Sequence, residues 1–417
     1  MDSIFGKQRI LSLSWEPLLL DAPYWDWTVA EEQKIARQNR SKVLSTLMLA
    51  MLDMTTGAMF LHCLPGLVSL QLRFWRCEQT PLVHFFPEEL PEVVREFDQI
   101  QRTFSREWNS ERERWERFKL FERNLAEIAR LNAEAKRTGR NMTYGVNGMA
   151  DWTEEEMGRM LLPLDHFKRR RVEAKFIRKM NPILRRAFTD RSAEEPGSEY
   201  PRHFDWRPRG VVTPVKAQGQ CGSCWAFAAV ATTESAYAVA HGHLRSLSEQ
   251  ELLDCNLENN ACNGGSEDKA FRYIHERGLV TEDEYPYVAH RQNVCSVDFG
   301  SKNLTKIDVA VFINPDEQSM MDWLINFGPV NVGIAVPPDM KPYKSGIYHP
   351  SDYDCKFRVL GLHALLVVGY GESQEGVKYW IVKNSWNNTW GQEHGYVNFV
   401  RGINACGIED EPIGLLA

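Results

Sequence analysis

The sequence predicts a chain of two or three parts, in which a charged helical segment precedes a compact globular body. Three observations predict it. At 417 residues the chain is too long for one ordinary domain. Between residues 92 and 162 its side chains recur with helical spacing. The stretch from Pro201 to Ala417, about 217 residues, is long enough to bury a core of its own. With 43% hydrophobic and 25% charged residues the composition is that of a globular protein, neither disordered nor collagen-like. A net charge of −7 gives no reason to expect a nucleic-acid partner.

The first part, residues 1–92, reads as a leader. Lys34, Arg37, Arg40 and Lys42 precede an apolar run at about 43–72, the order of a signal or anchor segment. Asp53, His62, Pro65 and Gly66 interrupt the run. Three readings compete: a signal peptide with an extended start, an uncleaved membrane anchor, or true initiation at an internal Met such as Met48 or Met51. Cys63 and Cys77 in this region either pair or stay free.

Residues 93–162 follow. Glu113, Arg117, Phe121, Asn124, Ile128 and Asn132 stand at steps of three and four, which keeps all six on one helix face. Glu113 and Arg117, one turn apart, are expected to pair, and Phe121 and Ile128 give the face its apolar grip. Residues 163–199 lack sustained periodicity. They carry Pro163, Pro182, Pro196 and Gly197 among dense Arg and Lys, and read as an exposed linker open to proteolytic cutting. From Asp165 to Arg191 this stretch is strongly basic, whereas acidic residues outnumber basic ones after Pro201. The contrast suits either a leader docked on an acidic body or a solvated linker.

In the body, 200–417, an Ala-rich stretch from Ala226 to Ala240 suits a helix that stops at Gly242. Cys224 falls at its N-terminus, where the helix dipole favours a thiolate. Seven of the nine cysteines lie in this body: Cys221, Cys224, Cys255, Cys262, Cys295, Cys355 and Cys406. Six can pair, leaving one thiol over as a candidate nucleophile. Six pairable cysteines also argue for an oxidising compartment. No metal site is expected, because the histidines lack ligand spacing.

Cys221-Gly222-Ser223-Cys224-Trp225 matches the signature Cys-Gly-[Ser/Ala]-Cys-[Trp/Tyr], and Leu362-His363-Ala364 and Asn384-Ser385-Trp386 follow in order. Together with Asp205-Trp206-Arg207, Leu247-Ser248-Glu249-Gln250, Cys262-Asn263-Gly264-Gly265 and Cys406-Gly407-Ile408, these motifs make the body resemble a papain-family cysteine peptidase of the cathepsin L-like group. The helical face at 113–132 resembles the family's ERFNIN propeptide motif. Gly145, Asn147 and Asp151 resemble its GNFD motif, with Met149 in place of Phe.

The resemblance implies an α+β, two-lobed papain-like fold, a helical lobe with Cys224 and a β-barrel-like lobe with His363 and Asn384, preceded by a helical inhibitory propeptide. It implies disulfides Cys221–Cys262, Cys255–Cys295 and Cys355–Cys406. It makes Cys224 the nucleophile, His363 its base, Asn384 the orienting residue and Gln218 an oxyanion donor, without a cofactor. Trp386 would shield the His–Asn contact. Gly222, Gly264, Gly265, Glu267, Gly333, Ala364 and Glu411 would line the substrate site. Glu267 and Glu411 stand where the second pocket is expected, and either admit a basic side chain there or face solvent. Asn387 replaces the family's usual Gly, a departure that Asn tolerates at positive φ.

The function implied is a latent endopeptidase, activated in acid, acting on polypeptides as a monomer in the secretory pathway, lysosomal or extracellular. A membrane tether through 43–72 stays open. The alternative from another class is a catalytically silent homologue acting as a binding or inhibitory protein. Asn141 and Asn303 head the more accessible glycosylation sequons.

Overall fold

The computed structural model describes residues 92–179, 200–300 and 304–417. The apolar run at 43–72, Cys63, Cys77, Asn303 and linker residues 180–199 lie outside them.

Among the described residues, the segment that precedes the body, 92–179 and called the leader from here on, begins with helices α1 (Glu92–Thr103) and α2 (Glu111–Arg137). Ser110 starts α2 by accepting the Glu113 N–H on its hydroxyl, which satisfies an otherwise unpaired donor. Phe97, Ile100, Phe118 and Phe121 close a small core between these helices. The predicted face of α2 is used, with one change of partner. Glu113 accepts from the backbone and side chain of Asn109, and Arg117 pairs instead with Glu156, from two nitrogens at 2.7 and 2.5 Å. A partner fixed by tertiary structure displaces the helical neighbour because it offers a bidentate, half-buried carboxylate. Asn124 donates to the Ala150 carbonyl at 2.7 Å, and Asn132 exchanges two 2.9 Å bonds with the backbone of Tyr144. Thr153 and Glu156 form a reciprocal capping box on the short helix α3 (Glu154–Gly158).

Residues 163–179 are not the exposed linker that their composition suggests. His166–Glu173 forms a helix, α4, and Arg178–Lys179 forms a strand, β2, with His166, Arg170 and Ile177 buried. Proline and charge density read locally as linker because the groups that neutralise this segment lie far along the chain.

In the body, α5 (Cys224–His241) is buried on nearly every face, and Gly242 ends it at φ +76°. Helices α6 (Glu249–Cys255) and α7 (Glu267–Glu276) pack beside it. The strands are β3 (Phe204–Asp205), β4 (Val309–Phe312), β5 (Val330–Val336), β6 (Tyr343–Tyr348), β7 (Gly361–Glu372), β8 (Lys378–Lys383), β9 (Tyr396–Val400) and β10 (Ile413–Leu416). They join β1 (Met142–Tyr144) and β2 in one mixed ten-stranded sheet, ordered β1-β6-β9-β8-β7-β5-β10-β4-β2, with β3 on β7. Both end strands belong to the leader: β1 pairs antiparallel with β6, and β2 parallel with β4. The leader thus covers edges that would otherwise present unpaired backbone.

Two larger cores result. One gathers the sheet, Trp380, Trp386, Trp390 and, from the leader, Met149, Trp152 and Met157. The other surrounds Cys224 and Trp225 and takes in Leu162 and Ile177 of the leader. Three disulfides form, Cys221–Cys262, Cys255–Cys295 and Cys355–Cys406, the pairing that the resemblance implies. Among the described residues Cys224 is the free cysteine, and no helix is long and apolar enough to cross a membrane.

Candidate active site

Cys224 is the first residue of α5 and is fully buried. Gln218, six residues earlier, is itself fully buried on a loop whose neighbouring residues are exposed. Ser385 Oγ donates to Gln218 Oε1 at 2.7 Å, which fixes the amide so that Nε2 is the outward donor. Nε2 donates to the carbonyls of Cys221 and of Met160, each at 2.9 Å. Ser223 Oγ bonds Tyr287 Oη at 2.7 Å, and Tyr287 donates onward to the Gln218 carbonyl at 2.9 Å. Sequence reading missed Ser385 and Tyr287. Ser385 stood inside the Asn384-Ser385-Trp386 motif without a role of its own, and Tyr287 gave no signal.

His363 comes from β7, opposite Ile334 of β5, and is fully buried. Its Nε2 donates to Asn384 Oδ1 at 2.8 Å. The Ser385 N–H also donates to Oδ1, at 2.7 Å, which orients the Asn384 amide. Nε2 therefore carries the proton, and Nδ1, which has no partner, keeps its lone pair. Trp386 stacks on the imidazole with ring centroids 4.7 Å apart and closes this contact to water. Asn387 adopts φ +73°, the left-handed region that it tolerates better than most residues.

The electrostatics differ from the helix-dipole expectation. Burial pushes the Cys224 thiol up to about 12, against the help of the Ala364 and Trp225 amides. Burial also lowers the His363 imidazole to about 4, although Asn384 favours its charged form. Burial thus disfavours the charged form of both groups in this arrangement. Desolvation exceeds the half-charge of a helix end because no water reaches the sulfur.

Residues 200–416 match the family described as papain family cysteine protease. The chain belongs to that family. Residues 97–157 match the cathepsin propeptide inhibitor domain (I29). The chain is 38% identical to cathepsin F of Drosophila melanogaster over 330 residues, 75% of this chain and 49% of that protein. It is 35% identical to cathepsin F of Mus musculus over 335 residues, 79% of this chain and 66% of that protein. The chain thus spans about half and about two thirds of these relatives. Its fold follows that of the digestive procathepsin L 3 of Tenebrio molitor larval midgut, with a TM-score of 0.67 and 31% identity over 79% of this chain and all of that one.

The continuation of the inhibitor-domain segment lies across the papain-like site. Leu162 bridges Leu362, exchanging hydrogen bonds of 2.7 and 2.9 Å one residue from His363. Leu162 also approaches Gly264, and the Arg159 carbonyl approaches Gly222, where a Cβ would stand 2.5 Å from the Cys262 carbonyl. Gly265 instead leaves room for the Trp225 ring. Gly333 pairs with Ala364, and a side chain at 333 would collide with the Phe167 ring. Further from the site, Asn147 donates to the Lys341 carbonyl at 2.8 Å. The Gly145 N–H donates to the Pro342 carbonyl at 2.9 Å. Asp151 is buried beside Arg106 at 3.4 Å, and Met149 is buried in the sheet-side core.

Glu267 and Glu411 do not face solvent. Arg170, its side chain wholly buried, stands between them at 2.9 and 3.1 Å. Burial by itself raises the Glu267 carboxyl, yet Arg170 and His166 outweigh it and hold it down to about 2. Glu156 is likewise held at about 2, where hydrogen bonds from Arg117 and Thr153 overcome burial. A depressed carboxylate contributes its full stability above its ordinary value and loses it progressively as pH falls from there to the depressed one. At about pH 5 both clamps are still ionised. Protonation of these two carboxylates is therefore not what a pH of about 5 changes. Asn141 is exposed on the turn before β1.

Proposed function

We propose that this chain is a cysteine endopeptidase made as a latent precursor. Cys224 attacks the peptide carbonyl, and Nδ1 of His363 takes the thiol proton and returns it to the leaving amine. Asn384 holds the imidazole tautomer, and Trp386 keeps water from that bond. Gln218 Nε2 and the Cys224 N–H stabilise the oxyanion. An acyl-enzyme forms and water hydrolyses it. The observation that carries this reading is the Met160 carbonyl on Gln218 Nε2, 2.9 Å away: a peptide carbonyl already lies where a substrate's would accept the same donor.

In this reading residues 93–162 block the cleft and 200–417 form the peptidase. Because 163–179 is docked, the activating cut is assigned to 180–199, in an acidic compartment of the secretory pathway, lysosomal or extracellular. The three disulfides fit such an oxidising compartment. The enzyme acts as a monomer on polypeptides, with Gly222, Gly264, Gly265, Gly333 and Ala364 along the substrate, and Asn141 and Asn303 carry glycans.

The test is an epoxide probe for active-site thiols, applied to the precursor at about pH 5, with Cys224→Ala as control. Labelling of the shortened form alone, lost in the variant, supports the reading. A shortened form that takes no label points to a silent homologue.

A further inference from the structure

The connection from β8 to β9, residues 384–395, carries Asn384 and Trp386 of the site and then turns outward. Trp386 and Trp390 are both buried, and their rings pack edge to face with centroids 4.9 Å apart. Trp390 Nε1 donates to the Lys341 carbonyl at 3.1 Å, which ties that end of the turn to the body. Between the two tryptophans stand Asn387, Asn388 and Thr389, and all three are exposed. They spell Asn-x-Thr without proline, an acceptor for an N-linked glycan. The exposed turn and the sequon are thus the same three residues. Main-chain bonds fix its base: the Asn387 N–H donates to the Lys216 carbonyl at 3.2 Å, and the Trp390 N–H to the Asn387 carbonyl at 3.4 Å. The turn places residue 387 at φ +73°. Glycine and asparagine serve such a position best, and of the two only asparagine has an amide nitrogen to modify.

Asn387 is exposed as Asn141 is, although it directly follows the buried Trp386. Glycan transfer acts on the unfolded chain, so nearness to Cys224 does not bar it; the fold has only to leave the glycan room outside. We propose that Asn387 bears an N-linked glycan, and that this glycan screens the Trp386 end of the cleft from folded proteins while leaving it open to short peptides. In the transfer, Asn387 Nδ2 loses a proton and bonds to the anomeric carbon of a lipid-pyrophosphate-linked oligosaccharide. The bond from that carbon to the pyrophosphate oxygen breaks, and the lipid pyrophosphate leaves with the electron pair. The glycan then stands at the rim of the cleft. Trp386 lies on the His363 ring at 4.7 Å, and Lys216, the backbone partner of Asn387, stands two residues before Gln218. Met149, Trp152 and Met157 precede Met160, whose carbonyl meets Gln218, and they share the core of Trp386 and Trp390. A chain crossing the cleft therefore runs past these tryptophans on one side of Gln218. The sequon is exposed with the leader in place, so the precursor accommodates the glycan as well. The screening half of this proposal rests on the peptidase reading above, and the modification half on entry into the secretory pathway.

The experiment expresses the full precursor in mammalian cells. Peptide N-glycosidase in heavy-oxygen water converts a glycan-bearing asparagine to a heavy-oxygen aspartate, and tryptic mass mapping reads this label at Asn387 and Asn141. Label is expected at Asn387, lost in Thr389→Ala and kept in Thr389→Ser, which preserves the sequon. After processing, the Thr389→Ala enzyme is expected to hydrolyse a short peptide within about twofold of the unsubstituted rate and native serum albumin at least about threefold faster, because the bulk of the glycan is gone. The Thr389→Ser enzyme is expected to match the unsubstituted one on both substrates. An unlabelled Asn387 overturns the proposal: with Asn141 labelled it falls alone, and with neither labelled the secretory reading falls with it. Equal rates on albumin, with Asn387 labelled in the unsubstituted enzyme, overturn the screening role. Labelling without hydrolysis of either substrate sustains the glycan, removes the screening role and counts against the peptidase reading.

Discussion

Burial of Cys224 in the latent form sets how fast that thiol can react. The perturbation is removal of the leader, which opens Gln218, Cys224 and His363 to water. With the thiol raised to about 12, roughly one molecule in 100,000 carries a thiolate at pH 7. An ordinary thiol near 8.5 is about 3% ionised at that pH. Because the thiolate is the nucleophile, the precursor's Cys224 is expected to alkylate roughly 3,000-fold more slowly than an unperturbed thiol, before any steric hindrance. Its rate should also climb about tenfold per pH unit through the neutral range, since the thiolate fraction does. The processed enzyme, where imidazolium and thiolate can form together in water, should instead show a plateau. The assay is iodoacetamide labelling of Cys224 across pH 5–10, read by intact mass on precursor and processed enzyme, with the Cys224→Ala precursor as blank. A precursor that alkylates at neutral pH within about tenfold of a free thiol would refute the reasoning, because burial would then not control the sulfur.

Three further outcomes follow from the same geometry. Gln218→Ala is expected to lower kcat of the processed enzyme by about a hundredfold with KM little changed, measured by steady-state hydrolysis, because it removes one oxyanion donor. In a Cys224→Ala precursor, which cannot cut itself, a cut introduced by added protease at 180–199 should leave the leader bound at about pH 5. Analytical gel filtration should show release setting in below about pH 4.5 and completing toward 2, as the clamping by Glu156 and Glu267 is lost across that range. Glu411→Ala is expected to reduce the rate ratio of Arg over Phe substrates, at the second residue before the cut bond, by about tenfold. An unchanged ratio would remove Glu411 from that pocket.

Much of the site was legible because its pieces are local. The Cys224 motif and the Ala-rich helix share one short stretch, so helix start, nucleophile and dipole could be read together. Phe121, Asn124 and Asn132 were legible as one face because 3.6-residue periodicity is a property of the backbone alone. Arg117 was legible as a helix-face residue but not in its partner, since Glu156 lies 39 residues away. Arg170 was hidden in a basic run. Among Lys168, Arg170 and Lys175, composition does not say which one loses its water.

The sequence by itself determined the family, the order of the functional residues, the disulfide partners implied by that family, and the helical leader, all of which depend on residue type and spacing. Only the tertiary structure decided that both sheet edges are closed by leader strands, that 163–179 is seated rather than solvated, and that Cys224 and His363 are both buried while the leader is bound. The physical reason is the same in each case. Edge pairing, charge neutralisation and desolvation are set by what lies within a few ångströms, and in this chain those neighbours come from more than 90 residues away: Asp268 to Ile177, Glu411 to Arg170, Leu362 to Leu162.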